Sequence, residues 1–276
     1  MEGKKVLITG STDGLGKRVA RSLASKGASV LLHGRNREKG QSVLQEIANE
    51  TENDRISYYN ADFALLDDIR QLGREIRESN ESLDIVINNA GIGFGKPGTN
   101  RSESRDGYEL RFQVNYLSGF MLTLALLPLL RKRSSARIIN VASGAQQALD
   151  FDNLLLEEGW SGYRAYAQSK LAQIMFTVEL AERLDREQIG VNSLHPATYM
   201  DTNMVRDADI SPTSKVESGA EAVEYLALSP DLKGVSGVYY NGKRKARANE
   251  QAYDAKARQR LWQRTLELSG VEDGPV

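Results

Sequence analysis

The stretch Lys5-Val6-Leu7-Ile8-Thr9-Gly10-Ser11-Thr12-Asp13-Gly14-Leu15-Gly16 decides the fold. It opens apolar and β-prone, turns glycine-rich, and from Lys17 becomes amphipathic. Val19, Ala20, Leu23 and Ala24 share one helical face, while Lys17, Arg18, Arg21 and Lys26 point to water. Strand, glycine turn and helix in that order begin a βαβ unit. Glycines there allow a tight bend, a close backbone approach to a pyrophosphate, and close packing of helix on strand. The helix N-terminus adds free amides and the positive end of its dipole. Three glycines alone could be mere turn residues; the flanking strand and helix favour the phosphate-binding reading.

Outward from this unit the alternation continues. Strand-like runs occupy Ser29 to His33, Arg55 to Asn60, Ile85 to Asn88, Arg137 to Val141, Gly190 to Leu194 and Gly237 to Tyr240, which with Lys5 to Thr9 makes seven. Helical periodicity marks Leu65 to Arg77, through Leu65, Ile69, Leu72 and Ile76, and a longer helix spans Tyr163 to Arg186. A further helix is expected around Glu250 to Leu268, after the basic tract Lys243 to Arg247, whose charges read as a solvated face. The pattern predicts an α/β fold: a doubly wound, mostly parallel seven-stranded sheet with helices on both faces. Two segments break the rhythm, 144–162 and 199–218, and loops of that length are expected to act as substrate lids.

Composition narrows the function. A chain of 276 residues is compatible with one domain over 1–276, since single cores stop growing at roughly 250 to 300 residues. With 36 Lys+Arg against 37 Asp+Glu, no overall field draws it to nucleic acid. Without cysteine, and with only His33 and His195, thiolate or histidine metal sites and cysteine nucleophiles are excluded. The longest apolar stretch, Phe120 to Leu130, contains Pro128 and falls short of the roughly 18 residues of a spanning helix. No secretory signal is legible near Lys4-Lys5, so the expectation is a cytoplasmic protein without a membrane span.

Further motifs follow in order: Asn88-Asn89-Ala90-Gly91 after the fourth strand, Gln113-Val114-Asn115, Ser143 after the fifth strand, Tyr166-x-x-x-Lys170 in a helix, and His195-Pro196 after the sixth. With Thr9-Gly10-x-x-x-Gly14-x-Gly16, this set resembles the single-domain branch of the short-chain dehydrogenase/reductase family. The resemblance spans roughly Val6 to Thr202; Gly16-Lys17, Gly34-Arg35 and the long gap from Ser143 to Tyr166 are similar to its retinol-dehydrogenase-related members. It implies a Rossmann-type sheet and hydride transfer between a nicotinamide cofactor and a carbonyl/alcohol pair on a small-molecule substrate. It further implies that Tyr166 protonates the substrate oxygen, that Lys170 binds the nicotinamide ribose and lowers the tyrosine pKa, that Ser143 bonds the carbonyl, and that Asn115 holds a water. Cofactor contacts implied are Gly10, Ser11, Thr12, Gly14, Leu15, Gly16, Asp62, Phe63, Asn89, Ala90, Gly91, Tyr166, Lys170 and Pro196. A homodimer or homotetramer through the helices of Asn115 and Tyr166 is the implied assembly.

The residues themselves support that chemistry. Tyr166 and Lys170 lie at i and i+4, on one helical face. Lowering a phenol by about 3 pKa units requires roughly 4 kcal/mol of preferential stabilisation, which an ammonium and an oxidised nicotinamide could supply. The second strand ends in His33-Gly34-Arg35-Asn36-Arg37 with no acid until Glu38, so Arg35 and Arg37 favour the 2′-phosphate of NADP(H) over NAD(H). Asp62 either contacts the adenine or caps a turn. Pro196 is followed by Ala197 rather than glycine, and Thr202 arrives one residue late, which leaves Thr198 and Thr202 as alternative cofactor contacts. His195 reads as a packed strand-end residue. Leu149, Leu154, Leu156, Trp160, Tyr199, Met200 and Met204 supply the two irregular segments with apolar surface, for a medium-to-large apolar substrate or simply for packing. A catalytically idle nucleotide-binding regulator is the rival reading, disfavoured by Asn115, Ser143, Tyr166 and Lys170 occurring together.

Overall fold

The computed structural model describes residues 1–272. Eight strands form one sheet: β1 (Lys5–Ile8), β2 (Ser29–Gly34), β3 (Ile56–Asn60), β4 (Ile85–Asn88), β5 (Ala136–Val141), β6 (Ile189–His195), β7 (Val238–Asn241) and β8 (Arg244–Lys245). Their order is β3-β2-β1-β4-β5-β6-β7-β8. β1 through β7 run parallel, and β8 pairs antiparallel with β7. The count is therefore eight rather than seven. The basic tract turns back at Gly242, where φ is 59°, and a two-residue strand is too short to leave a readable alternation.

Helices cover both faces: α1 (Gly14–Ser25), α2 (Arg37–Thr51), α3 (Leu66–Ser79), α4 (Ser118–Leu130), α5 (Gly162–Arg183), α6 (Asn203–Arg206), α7 (Val216–Leu228) and α8 (Ala255–Ser269). Successive strand residues serve opposite layers. Val6 and Ile8 join Val19, Leu23, Ile47 and Val223 beneath α1, α2 and α7, whereas Leu7 joins Leu72, Leu122 and Met175 beneath α3, α4 and α5. Both faces are buried, which is why the strands read as near-continuous apolar runs. The chain winds outward from β1 to β3, then crosses back to β4 on the other side of β1. That reversal opens a crevice at the carboxyl ends of β1 and β4.

A π-helical turn, Phe112–Leu117, runs into α4, so the helical stretch Phe112–Leu130 is long and apolar enough to cross a membrane by length and composition. It extends eight residues upstream of the apolar stretch read from sequence, and most of it is buried in the core. Outside it lies α8. Trp262 meets Phe120 edge-on at 5.0 Å and stacks on Phe176 at 6.2 Å, and the Tyr116 and Thr265 hydroxyls pair at 2.7 Å. The outer faces of the helices carrying Asn115 and Tyr166 are thus packed by the chain's own C-terminal helix, and assembly through them would have to include α8.

The two irregular segments differ from one another. Segment 144–162 forms no strand and becomes helical only at Gly162, yet it is fixed: Leu149, Leu154 and Leu156 are buried, Gln251 pairs with both backbone groups of Leu149 at 2.6 and 3.1 Å, and Arg101 donates to the Leu155 and Leu156 carbonyls. It packs as a wall against the body of the domain. Segment 199–218 contains α6 and, from Val216, the first turn of α7; α6 buries no side chain, and Met204 is 37% exposed.

Candidate active site

The crevice is floored by the glycine turn. Gly10 takes φ 63°, and a Cβ there would lie 2.7 Å from the Ala90 Cα; a Cβ at Gly16 would collide with the Gly10 carbonyl. Glycine is required at both positions because β1, β4 and α1 converge on them. Asn89 fastens the convergence, its Nδ2 donating to the Thr9 and Gly10 carbonyls at 2.9 and 3.0 Å, while Thr9 Oγ1 accepts from the Asn89 and Ala90 amides. Ser11 is buried and turned inward, its Oγ accepting from the His33 amide at 2.9 Å. Leu15, in the first turn of α1, packs in the core.

His33 has a role at this turn that spacing did not reveal. Its Nδ1 accepts from the Gly10 amide at 3.1 Å, its Nε2 faces the Ala61 carbonyl at 3.3 Å, and its ring stacks on Phe63 at 4.2 Å. Burial pushes its pKa down to about 4, so the neutral ring props the loop. A histidine closing a buried strand beside a glycine turn is the only trace of this in the sequence. Phe63 accordingly serves the packing of His33. Asp62 closes the turn into α3, its Oδ1 accepting from the Ala64 amide at 3.0 Å.

Thr12 packs on Gly34, and the next residue, Arg35, is exposed, as is Arg37. Thr202 reaches the glycine turn, its Cγ2 3.1 Å from where a Gly14 Cβ would sit. Thr198 instead shares a 3.0 Å hydrogen bond with His195 Nε2, above the buried Pro196. Of the two threonines, Thr202 borders the crevice at the turn. The cradle that side chains would fill, the first-turn amides of α1, and the floor along Asn89, Ala90 and Gly91 fit a dinucleotide, whose pyrophosphate the turn would hold and whose nicotinamide ribose would lie toward Tyr166 and Lys170.

The candidate catalytic side chains come from three stretches of the chain. Asn115 sits in the π-helical turn, an irregularity frequent at functional sites. Its Oδ1 accepts from the Ile92 amide at 2.8 Å, and its Nδ2 donates to the Ile92 carbonyl at 3.1 Å and to Ser169 Oγ at 2.9 Å. Ser143 lies two residues past the end of β5; Tyr239 Oη donates to its carbonyl at 3.0 Å, as does Gln146 Nε2. Tyr166 and Lys170 lie on α5, where Ser161 caps the first turn and Nζ sits 5.8 Å from the centre of the Tyr166 ring. Lys170 Nζ donates to the Val141 carbonyl at 2.9 Å and to Gln173 Oε1 at 2.8 Å, and Gly91 stands between Asn115 and this ammonium.

Burial acts on both members of the Tyr166–Lys170 pair. Burial raises the Tyr166 phenol, opposed by a hydrogen bond with Ser143, and Lys170 is not among the groups that lower it. Burial brings Lys170 itself down to about 7, and its ammonium is directed to Val141 and Gln173. The tyrosine is therefore protonated at pH 7 and lies beside Ser143.

Two apolar side chains lie close to these groups. The Phe94 ring meets Tyr166 edge-on at 5.8 Å, and Met204 of α6 packs on Gly93. Asn203 Nδ2 donates to Asp13 Oδ2 at 2.7 Å, tying α6 to the start of α1.

Fold and site together define an oxidoreductase that works with a nicotinamide cofactor. Residues 4–212 match the short chain dehydrogenase family, and the chain belongs to it. It is 35% identical to retinol dehydrogenase 13 of Homo sapiens, over 98% of this chain and 86% of that protein. It is 33% identical to polyprenol dehydrogenase of Mus musculus, over 99% and 85%. Among solved structures, a protein from Mycobacterium paratuberculosis superimposes with a TM-score of 0.78 at 26% identity, covering 99% of this chain and 96% of that one. A short chain dehydrogenase of Escherichia coli CFT073 complexed with NADPH gives 0.69 at 27% identity, covering 88% and 98%.

Proposed function

We propose that this enzyme interconverts an alcohol and its carbonyl compound on a medium-to-large apolar molecule, using NADP(H) in preference to NAD(H). The observation that carries the reading is the convergence of Ser143 and Tyr166 beside Phe94: two hydroxyls able to bond one substrate oxygen, backed by apolar surface. In reduction, Ser143 and Tyr166 donate hydrogen bonds to the carbonyl oxygen, and the Tyr166 proton passes to it as the alcohol forms. The nicotinamide, when bound, supplies the hydride. Asn115 holds the loop after β4 through Ile92, and Lys170 lends positive charge near the ribose position. The raised phenol favours reduction near neutral pH, and oxidation is expected to improve as pH rises and phenolate becomes available.

NADP(H) preference rests on Arg35 and Arg37, exposed at the carboxyl end of β2, where a guanidinium fork suits a 2′-phosphate. The similarity to structures complexed with NADP and NADPH supports the same choice. Similarity to dehydrogenases of retinol and polyprenol, both long apolar alcohols, supports the substrate class. The test is NADPH absorbance across aldehydes and ketones of growing apolar bulk, with NADH alongside. Turnover that falls as bulk grows, or that runs equally on NADH, contradicts the proposal.

A further inference from the structure

A buried ion pair lies behind the substrate side of this crevice, outside the catalytic set. Arg111 is 5% exposed and Glu109 is 1% exposed. Arg111 Nε donates to the Gly93 carbonyl at 2.9 Å, Nη2 to the Phe94 carbonyl at 3.1 Å, and Nη1 to Glu109 Oε1 at 3.4 Å. Glu109 uses its other oxygen to accept the Phe112 amide at 2.7 Å, and Oε1 also accepts from Trp160 Nε1 at 3.2 Å. The guanidinium lies 5.4 Å from the centre of the Trp160 ring.

Burying two charges is unfavourable unless geometry and extra hydrogen bonds offset the desolvation. Here the geometry does something an apolar pair cannot: one planar fork fixes two successive carbonyls of an irregular loop. With Asn115 gripping Ile92 from one helical turn further on, the loop after β4 is held at three consecutive residues. It also rests directly on the start of α5, because a Cβ at Gly162 would overlap the Phe94 carbonyl oxygen. The consequence is the placement of the Phe94 ring, 5.8 Å from Tyr166 and 6.2 Å from Tyr163, edge-on to both. An alkyl chain attached to a carbonyl at Tyr166 would lie on that ring and leave water, whereas a hydroxylated chain would lose its hydration there without a partner.

Resting on the oxidoreductase reading of this site, we propose that the Glu109–Arg111 pair positions Phe94 against Tyr166, and that Phe94 so held selects substrates whose reacting carbon carries an extended apolar chain. Arg111 and Glu109 are positioning residues; Phe94 is the selecting surface.

The experiment compares wild type, Phe94→Ala, Arg111→Lys and the double variant, with NADPH, on straight-chain aldehydes from butanal to dodecanal. Lysine keeps the positive charge but cannot reach both carbonyls. Each single variant should lower the ratio of kcat/KM for dodecanal over butanal by at least about tenfold, the scale of a few methylenes of lost apolar contact. The loss should appear mainly in KM for the long aldehyde. The double variant should fall no further than either single one, because both act through one ring. Amide hydrogen exchange over Ile92 to Gly95 should be faster in Arg111→Lys than in wild type. An unchanged ratio in Phe94→Ala overturns the selecting role; additive losses, or unchanged loop exchange in Arg111→Lys, overturn the positioning role. If wild type turns over no aldehyde at all, the activity reading fails and the selecting role with it, while loop exchange still decides whether Arg111 positions the loop.

Discussion

Lys170 Nζ donates to Oε1 of Gln173, three residues further along α5, at 2.8 Å in an environment where both side chains are buried. The amide oxygen and the Val141 carbonyl are its two hydrogen-bond acceptors, and burial has already brought the ammonium down to about 7. Gln173 therefore bears on how far into the neutral range the lysine stays charged. Removing an acceptor of the charged form lowers a pKa further. In kcat/KM against pH, the limb on which activity falls as Lys170 loses its proton should move to lower pH in Gln173→Leu, by about one unit for one hydrogen bond of about 1.4 kcal/mol. Gln173→Glu should move it upward. Coincident profiles for all three proteins would show that Gln173 does not bear on the lysine.

Tyr166→Phe removes one proton and keeps the ring against Phe94. Turnover should drop at least about a hundredfold, the scale of a positioned general acid, while NADPH still quenches protein fluorescence with wild-type affinity. Comparable turnover would remove Tyr166 from the chemistry.

Arg35→Asp places a like charge where the 2′-phosphate is proposed to lie, so affinity for NADPH should fall much more than affinity for NADH. Parallel fluorescence titrations decide it, and an unaltered ratio would transfer the phosphate to Arg37 or Lys17.

His33 links pH to stability. Its folded pKa of about 4 lies below the ordinary 6.5, so between those values the unfolded chain binds the extra proton and the folded one does not. Stability should consequently fall as pH drops through that window, by up to about 3 kcal/mol from this residue. Thermal unfolding followed from pH 7 to pH 4 should show a shallower decline in His33→Gln, although that variant starts less stable because Gly10 loses its acceptor. Equal slopes would assign the acid sensitivity elsewhere.

The irregular segments should separate in their response to substitution. Leu154→Ala opens a cavity in the core and should lower stability by roughly 2 to 4 kcal/mol with little change in substrate ranking. Met204→Ala, on the exposed α6, should leave the melting temperature nearly unchanged and alter KM for bulky substrates. The opposite pattern would make 144–162 the moving element.

Much of the site is legible in the chain because its signals are local. The turn from Gly10 to Gly16 needs its glycines within one βα connection, and Tyr166 with Lys170 needs only helical spacing. Ser143 follows a recognisable strand, Asn115 stands in a short motif between two others, and alternation of apolar runs with amphipathic stretches suffices for a doubly wound sheet. Even the missed strand β8 failed for a local reason, its length of two residues.

What the sequence by itself determined, then, is the class of fold and a set of candidate catalytic side chains, since periodicity and short spacings act within about one secondary-structure element. Only the tertiary structure decided that segment 144–162 is packed while α6 buries no side chain, because Leu149 is held by Gln251 from 102 positions away. It alone placed Thr202 rather than Thr198 at the glycine turn, set His33 beneath Gly10, and aimed Arg111 at the Gly93 and Phe94 carbonyls.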